Sequence, residues 1–372
     1  MVIKSVYINN FTVFEDINIE FCNGINVILG GNGTGKTHLL KFIYAMYETA
    51  HEKFLRNGSD IVNKDNQSII REHAVIEFIN NCFLPYKLKE LLRVDYPTNL
   101  PRITAINEDN ILIHDIFTKL GTIDLTLIDN THSELSTKKI ESGYEFGLRI
   151  DGYHINNSVF IPAKEMLSHA SLYNMKELYG DEMPFDSTHL KIIEFARRMK
   201  LKETPNLAKN IVFKLEKIMN GTIREHNGSF WKRTPEGHLI PFSNESDGLK
   251  KIGLLWRLIM NGSITNNTVL FWDEPENSIN PENIPTLIKI LLELQRHGVQ
   301  IFLTTHNYYI MNYFNVCRET SDDLKFICLK KIDNKTVFED SNRYDTLSSN
   351  PIIEAAILMY EDEITKGLTN EN

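Results

Sequence analysis

The 372-residue sequence contains only four cysteines, Cys22, Cys82, Cys317 and Cys328, and no C-x-x-C pair. This spacing predicts neither a zinc site nor a disulfide framework, and it is typical of reduced thiols in a cytoplasmic protein. No run of 18 apolar residues occurs, so no membrane span is predicted. The first residues alternate between apolar and polar and lack the long apolar stretch of a signal peptide. We therefore expect a cytoplasmic protein without a membrane partner.

Other motifs are also missing. The sequence has no H-E-x-x-H, no clustered Cys and His, no G-x-S-x-G, no internal repeat and no heptad run long enough for a coiled coil. The 40 Lys and Arg residues against 49 Asp and Glu residues give a net charge of −9, which argues against a protein coated in nucleic acid. A basic stretch at residues 197–202 leaves two interpretations open, a contact with nucleic-acid phosphates or a solvated helix end.

A phosphate-binding motif, G-x-x-x-x-G-K-[ST], occupies residues 30–37. Its members are Gly30, Gly31, Asn32, Gly33, Thr34, Gly35, Lys36 and Thr37, and His38 follows. An apolar run at 25–29 precedes the motif and a helical pattern follows, so the loop joins a strand to a helix. Backbone N–H groups of the loop would surround phosphates, Lys36 would reach the β- and γ-phosphates, and the Thr37 hydroxyl would ligate Mg²⁺. This context disfavours the alternative, a glycine-rich turn that binds nothing.

Residues 268–276 contain a second nucleotide-type element, an apolar strand that ends in two adjacent carboxylates. Asp273 is a candidate for the Mg²⁺ shell, and Glu274 is placed to orient and deprotonate an attacking water. The alternative is an ordinary buried strand whose acidic residues lie at its solvated end. The phosphate loop in the same chain favours the nucleotide interpretation.

A third strand pattern, at residues 299–306, ends in His306. Parallel sheets bind ligands at the carboxyl edge, where the phosphate loop and Asp273 are also expected. His306 could therefore sense a γ-phosphate, although a histidine of the core or of a helix N-terminus is the alternative.

The sequence Ser246-Asp247-Gly248 precedes a helical run at 252–260. Small residues, a hydroxyl and free N–H groups at a helix start suit a phosphate, and they equally suit a plain N-cap. Bare chemistry does not choose between these two interpretations.

Together these elements resemble the ATP-binding-cassette (ABC) ATPases, and most of all the RecF/SMC/OLD-type AAA ATPases of DNA maintenance and bacterial defence. The resemblance covers the hairpin at 8–16, the loop at 24–41, and the segments 159–168, 273–281 and 304–306. It implies an α/β P-loop NTPase of ABC type, with a mixed central sheet, an N-terminal antiparallel β-subdomain and an inserted helical lobe. The resemblance assigns nothing to residues 51–150.

The resemblance also assigns roles. Ser246, Asp247 and Gly248 stand where this family has its signature motif, which contacts the γ-phosphate bound by the other protomer. Transporters carry a glycine where this chain has Asp247, so a transporter subunit is disfavoured. RecF- and SMC-like hairpins often carry an arginine where this chain has Thr12.

We expect a single ABC-type ATPase domain over residues 1–372. Its parts are an N-terminal lobe with the phosphate loop (1–160), a helical insertion and hairpin (161–240), the signature, Walker B and switch histidine (241–310), and a C-terminal hairpin and helix (311–372). Only 66 residues follow His306, too few for the nuclease domain of many OLD-type relatives, so no nuclease activity is expected.

The expected function is an ATP-binding and ATP-hydrolysing switch with Mg²⁺ as cofactor. The switch would dimerise head to tail around ATP and control a separate effector protein, in anti-phage defence. The alternative is a RecF/SMC-like DNA-repair ATPase that binds DNA directly, so a nucleic-acid partner stays open. A scaffold that binds ATP without hydrolysis is disfavoured by the intact Glu274.

Overall fold

A computed structural model describes residues 2–57, 67–69, 81–83, 123–128, 132–137, 146–151, 157–170, 185–205, 207–226, 229–266, 268–333, 335–348 and 350–370. The described strands are β1 Val2–Phe11, β2 Phe14–Glu20, β3 Ile25–Gly30, β4 Gln67–Ile69, β5 Ile123–Ile128, β6 His132–Thr137, β7 Phe146–Asp151, β8 Ser158–Ile161, β9 Thr222–His226, β10 Ser229–Arg233, β11 Leu239–Pro241, β12 Val269–Asp273, β13 Gln300–Thr304, β14 Leu324–Ile332 and β15 Lys335–Ser341. The described helices are α1 Lys36–Asn57, α2 Ser187–Arg197, α3 Ala208–Met219, α4 Asp247–Met260, α5 Ile284–Arg296, α6 Tyr308–Cys317 and α7 Pro351–Asn370.

The central sheet is mixed and has the strand order β15-β14-β3-β13-β12-β8. Strands β14, β3, β13, β12 and β8 run parallel, and β15 returns antiparallel to β14. Every residue of β3, β12 and β13 is buried, as expected for parallel strands covered on both faces. Asp273 lies opposite Thr304 in the register, and Thr304 lies opposite Ile28. The carboxyl ends of three neighbouring strands therefore meet at one edge.

An antiparallel sheet with the order β2-β1-β7-β6-β5-β4 forms the N-terminal β-subdomain, and a small sheet β11-β10-β9 follows α3. Helices α2 and α3 lie between β8 and β9 in the chain, which is the predicted inserted helical lobe. The predicted fold class is confirmed by this architecture. None of the described helices combines the length and apolar character needed to cross a bilayer.

Successive side chains of the central strands point to opposite faces of the sheet, so the apolar ones belong to two separate cores. In β12, Leu270 and Trp272 join the core that contains α2 to α6, whereas Val269 and Phe271 join the core of α1, β1 and β2. Side chains of a strand point alternately to opposite faces, so these cores cover the two faces of the sheet. The rings of Phe271 and Phe302 stack at 5.2 Å within the second core.

Most predicted elements are confirmed. Three strands occupy residues 2–30, the helix after the phosphate loop begins at Lys36, and the hairpin predicted around residue 333 is β14–β15. The hairpin predicted over 221–241 gains a third strand, β11, because residues 239–241 pair with β10. The polar loop predicted over 58–70 is wrong at residues 67–69, because they pair with β5 as strand β4. The rest of that loop, the strand predicted at 102–106 and the turn predicted at Gly228 fall on residues that the structure does not describe.

Candidate functional site

The phosphate loop runs from the end of β3 to the start of α1, and two of its glycines are required by close packing. Gly30 has φ +144°, and a Cβ there would lie 2.5 Å from the Leu329 carbonyl oxygen of β14. Gly35 has φ +97°, and a Cβ there would lie 2.5 Å from Val13 in the β1–β2 turn. Both conformations are rare for residues with side chains. The loop is therefore held between the N-terminal hairpin and β14.

Lys36 is buried against its own loop. Its Nζ donates hydrogen bonds to the carbonyl oxygens of Gly30 at 2.8 Å and Gly31 at 3.0 Å. Burial lowers the pKa of Lys36, while the carboxylates of Glu274 and Asp273 favour its charged form. The ammonium thus lies at the loop, where a phosphate-binding lysine belongs.

His38, at the start of α1, faces away from this polar centre. Its ring packs edge-on against Phe83 at 5.5 Å, and burial lowers its pKa. The backbone N–H of His38, at the N-terminus of a 22-residue helix, is then the group that could contact a phosphate.

Thr37 and Asp273 meet although 236 positions separate them. The Thr37 hydroxyl lies 3.0 Å from Asp273 Oδ1 and 3.1 Å from Oδ2, and Thr304 donates a second hydroxyl bond to Oδ1 at 2.5 Å. Burial raises the pKa of Asp273, and both hydroxyl bonds oppose that shift. A hydroxyl beside a carboxylate fits Mg²⁺, which prefers oxygen ligands and needs only one or two from protein in phosphate sites.

Glu274 and His306 form the outer part of the site. His306 Nδ1 lies 3.0 Å from Glu274 Oε1, and the His306 and Glu274 side chains are 53% and 27% exposed. Glu274 has φ +46°, and its N–H donates to the Thr304 hydroxyl at 3.0 Å. That uncommon backbone conformation carries the carboxylate off the strand and toward solvent, where a water could reach it.

Glu276 is a residue to which the sequence assigned no role. Its Oε1 accepts a hydrogen bond from the Thr305 hydroxyl at 2.5 Å and from the His306 N–H at 3.4 Å. Burial raises its pKa, and the hydroxyl bond opposes the rise. Glu276 therefore fixes the backbone that carries His306, and its only signal in the sequence was a third carboxylate after Asp273 and Glu274.

Lys251, on α4, was also missed. It is 2% exposed, and its Nζ donates to the Glu274 carbonyl oxygen at 3.1 Å. Burial lowers the pKa of Lys251 to about 8, and the carboxylates of Glu276 and Glu274 oppose that shift. A pair of adjacent lysines in a mostly apolar helix was the available signal, because lysine is rarely buried without a partner.

The signature residues lie at the start of α4, beside the loop that follows β12. Ser246 caps the helix by accepting from the Leu249 N–H at 3.4 Å, and Asp247 is exposed. Gly248 is buried, and a Cβ there would lie 2.2 Å from the Ser278 carbonyl oxygen. Within the described residues, no hydrogen bond or ion pair joins 246–248 to the phosphate loop. Within one chain, Ser246 therefore acts as the N-cap of α4.

We expect Gly248→Ala to destabilise the protein by about 1–3 kcal/mol, because a methyl group would overlap the backbone of Ser278. Urea unfolding followed by circular dichroism measures the change. Gly31→Ala is the matched control, since a Cβ at Gly31 meets no atom within 4 Å. Equal midpoints for the two variants would contradict the close approach of α4 to Ser278.

Comparisons with known proteins give two family matches. Residues 1–172 match the model of a family described as an AAA ATPase domain. Residues 174–312 match a second, described as an AAA domain, putative AbiEii toxin, type IV TA system. Together the two models reach from the first strand to α6.

Curated relatives are similar over shorter stretches. A DNA replication and repair protein RecF of Pediococcus pentosaceus is 34% identical over 80 residues, 20% of this chain and 21% of that protein. A RecF of Lachnoclostridium phytofermentans is 28% identical over 142 residues, 36% of each chain. The matched part of the chain thus spans between about a fifth and about a third of the length of these relatives.

A solved SMC head bound to the C-terminal winged-helix domain of ScpA has the same fold at 13% identity. The TM-score is 0.50, and the match covers 92% of this chain and 98% of that one. ATPases of this type generally use ATP with Mg²⁺. The phosphate loop, the carboxylates at the neighbouring strand ends and the two family matches lead to one assignment: the chain is an AAA ATPase with the ABC-type fold, and over the matched stretches its sequence is similar to RecF.

Proposed function

We propose that this ATPase is a switch that closes as a head-to-tail dimer around ATP and opens on hydrolysis, and that it controls a separate effector protein in anti-phage defence. One observation carries the catalytic part of the proposal. Lys36, the Thr37–Asp273 pair and the Glu274–His306 pair converge at one edge of the central sheet. This is the set of groups that phosphoryl transfer to water requires.

Each group then has a role. The N–H groups of residues 30–38 and the Lys36 ammonium bind the phosphates. Thr37 and Asp273 would hold Mg²⁺, and this ion would supply positive charge to neutralise the phosphates. Glu274 orients the attacking water and accepts its proton. His306, within hydrogen-bonding distance of Glu274, contacts the γ-phosphate and so distinguishes ATP from ADP.

The dimer proposal rests on the signature residues. The exposed Ser246 and Asp247 are presented outward at the N-terminus of the 14-residue helix α4, where a phosphate of a second copy would be favoured. Gly248 lets this turn pack against Ser278, four positions after Glu274. In a head-to-tail dimer, each ATP would lie between the phosphate loop of one protomer and residues 246–248 of the other.

Mixing two inactive variants tests the composite sites. Lys36→Ala disables the phosphate loop, and Asp247→Arg places a bulky cation at the signature turn. In a dimer of one variant with the other, both defects fall in one site and the second site is intact. Random mixing should therefore restore about a quarter of wild-type turnover. No recovery at equal concentrations of the two variants would contradict composite sites.

The Lys251 bond to the Glu274 backbone predicts a kinetic effect. We expect Lys251→Met to lower kcat about tenfold with ATP affinity kept, because the carbonyl that shapes the Glu274 turn loses its buried partner. Lys251→Arg should restore part of the rate. Lys214→Met, which removes a lysine paired with Glu293 on α5, is the control and should leave kcat within about twofold. A fall in ATP affinity with unchanged kcat would contradict a role in positioning Glu274.

The comparisons support two different interpretations, bacterial defence and direct DNA repair. The family description that names a putative AbiEii toxin supports defence, and the RecF relatives support the alternative. The basic stretch 197–202 begins at the last residue of α2, and the Arg198 guanidinium lies over the Phe195 ring at 4.2 Å. Because Arg198 packs on an aromatic ring of its own helix, this contact favours the interpretation of the stretch as a helix end over a contact with nucleic acid.

Turnover with single-stranded and double-stranded DNA tests the alternative. The defence proposal expects no stimulation by either form at physiological salt. Strong stimulation that falls steeply with rising salt would favour the DNA-repair interpretation, because phosphate contacts release counterions.

The effector proposal is tested on the native complex. Glu274→Gln, purified from its own host with ATP and Mg²⁺, should carry a second protein in native mass spectra, and Lys36→Ala should not. Nucleic acid as the only companion would again favour DNA repair. The cytoplasmic location, the subdivision into four parts and the lack of a nuclease remain predictions.

A further inference from the structure

The β14–β15 hairpin packs against the phosphate loop and lies beyond both family matches, the later of which ends at residue 312. Strand β14 pairs with β3 up to Leu329 opposite Gly30, where the loop begins. The Thr336 hydroxyl of β15, 3% exposed, donates to the Thr34 carbonyl oxygen at 3.4 Å. The hairpin therefore contacts the loop through both of its strands.

Lys331 lies opposite Thr336 across the hairpin. Residues paired across two strands lie on the same face, so Lys331 lies on the face that contacts the loop. Its ammonium is close to the loop itself, since a methyl group placed on Gly33 would be 3.6 Å from Lys331 Nζ.

The other lysines of the hairpin have carboxylate partners. Lys325 pairs with Asp340, Lys330 with Glu339 at 2.6 Å, and Lys335 with Glu15 at 2.9 Å. For Lys331, the described residues provide no carboxylate within ion-pair distance. An ammonium without a carboxylate partner beside the phosphate loop is free to pair with an anion that binds there.

We propose that Lys331 is a second cationic ligand of the nucleotide phosphates, acting from the hairpin beside Gly33. This role rests on the proposed function of residues 30–37 as the ATP site. Two ammonium groups at one loop repel each other when no anion is present, and a polyphosphate between them relieves that repulsion. A lysine suits this position because its ammonium is a compact charge with three rotatable donors on a flexible stem.

The test compares dissociation constants for ATP with Mg²⁺ by isothermal titration calorimetry at low and high salt. Lys331→Met should bind ATP about tenfold more weakly than wild type, the loss expected for one charged hydrogen bond. Lys331→Arg should stay within about threefold of wild type because it keeps the charge. The tenfold loss should shrink as salt rises, since this lysine is exposed.

Lys335→Met is the matched control, because it removes the same charge from the same hairpin at a lysine already paired with Glu15. Its affinity for ATP should equal that of wild type. A matching loss in Lys335→Met would overturn the specific role of Lys331, since general electrostatics would then explain both results.

Lys36→Ala separates this inference from the proposed function. Wild-type affinity in Lys331→Met, with binding lost in Lys36→Ala, would overturn the role of Lys331 and leave the ATP site intact. Wild-type affinity in Lys36→Ala would overturn the ATP site itself and Lys331 with it. If Lys331→Met binds ATP as wild type does but binds single-stranded DNA more weakly, then Lys331 contacts nucleic acid and the proposal is overturned.

Discussion

Replacing Glu274 with glutamine is expected to lower the rate of ATP hydrolysis by a factor of about 10²–10⁴, the range typical of a lost general base. The amide keeps the shape of the carboxylate but cannot accept the proton of the attacking water. Binding of ATP should be retained, because the phosphate ligands Lys36 and Thr37 are unchanged. The bond between His306 and residue 274 can persist with the amide oxygen as acceptor.

Single-turnover phosphate release measures this effect, and a fluorescent ATP analogue measures binding in the same preparation. Glu203→Gln, an exposed carboxylate outside the site, is the control and should hydrolyse ATP at the wild-type rate. Turnover of Glu274→Gln within about twofold of wild type would exclude Glu274 as the base.

Lys36→Ala should weaken ATP binding by about a hundredfold, equivalent to about 3 kcal/mol. The ammonium of Lys36 is held at the loop by the carbonyl oxygens of Gly30 and Gly31, so it is in place for phosphates before ATP arrives. Calorimetric titration with ATP and Mg²⁺ measures the loss. Lys289→Ala, an exposed lysine of α5, is the control and should bind as wild type does.

The Lys36→Ala result needs one further readout, because removing the lysine leaves two carbonyl oxygens without this partner. The urea midpoint without nucleotide should fall only modestly, since one buried hydrogen bond to the Gly30 carbonyl oxygen and one part-buried bond to that of Gly31 are lost. Unchanged ATP affinity in a folded Lys36→Ala protein would rule out the loop as the phosphate site.

The phosphate loop could be predicted from sequence because its signal is local. Eight consecutive residues with a strand before them and a helix after them determine where Lys36 and Thr37 lie. Asp273, Glu274 and His306 could be added because parallel strands end at one edge. The Thr37–Asp273 and Glu274–His306 distances agree with that expectation.

Lys251, Glu276 and Lys331 could not be assigned from sequence, since their roles depend on tertiary approach. Lys251 reaches the Glu274 carbonyl because Gly248 lets α4 approach Ser278, 30 positions away. Lys331 faces the phosphate loop only because of the pairing of β14 with β3 and the register of its hairpin. Neither register nor helix approach is encoded in a short window of residues.

For Ser246 and Gly248, two different roles require the same residue types, so the sequence does not choose between them. Capping by Ser246 and the close packing of Gly248 explain both residues within one chain. A contact with the nucleotide of a second copy uses the same small residues and the same helix start. A measurement of dimer formation distinguishes capping and packing within one chain from contact with the nucleotide of a second copy.

The mass of Glu274→Gln in solution shows whether ATP closes a dimer. Light scattering after size-exclusion chromatography, at micromolar protein, should give about 43.0 kDa without nucleotide and with ADP and Mg²⁺. With ATP and Mg²⁺ we expect twice that mass, and the double variant with Asp247→Arg should stay at the single-chain mass. A single-chain mass for Glu274→Gln with bound ATP would contradict closure of a dimer around ATP.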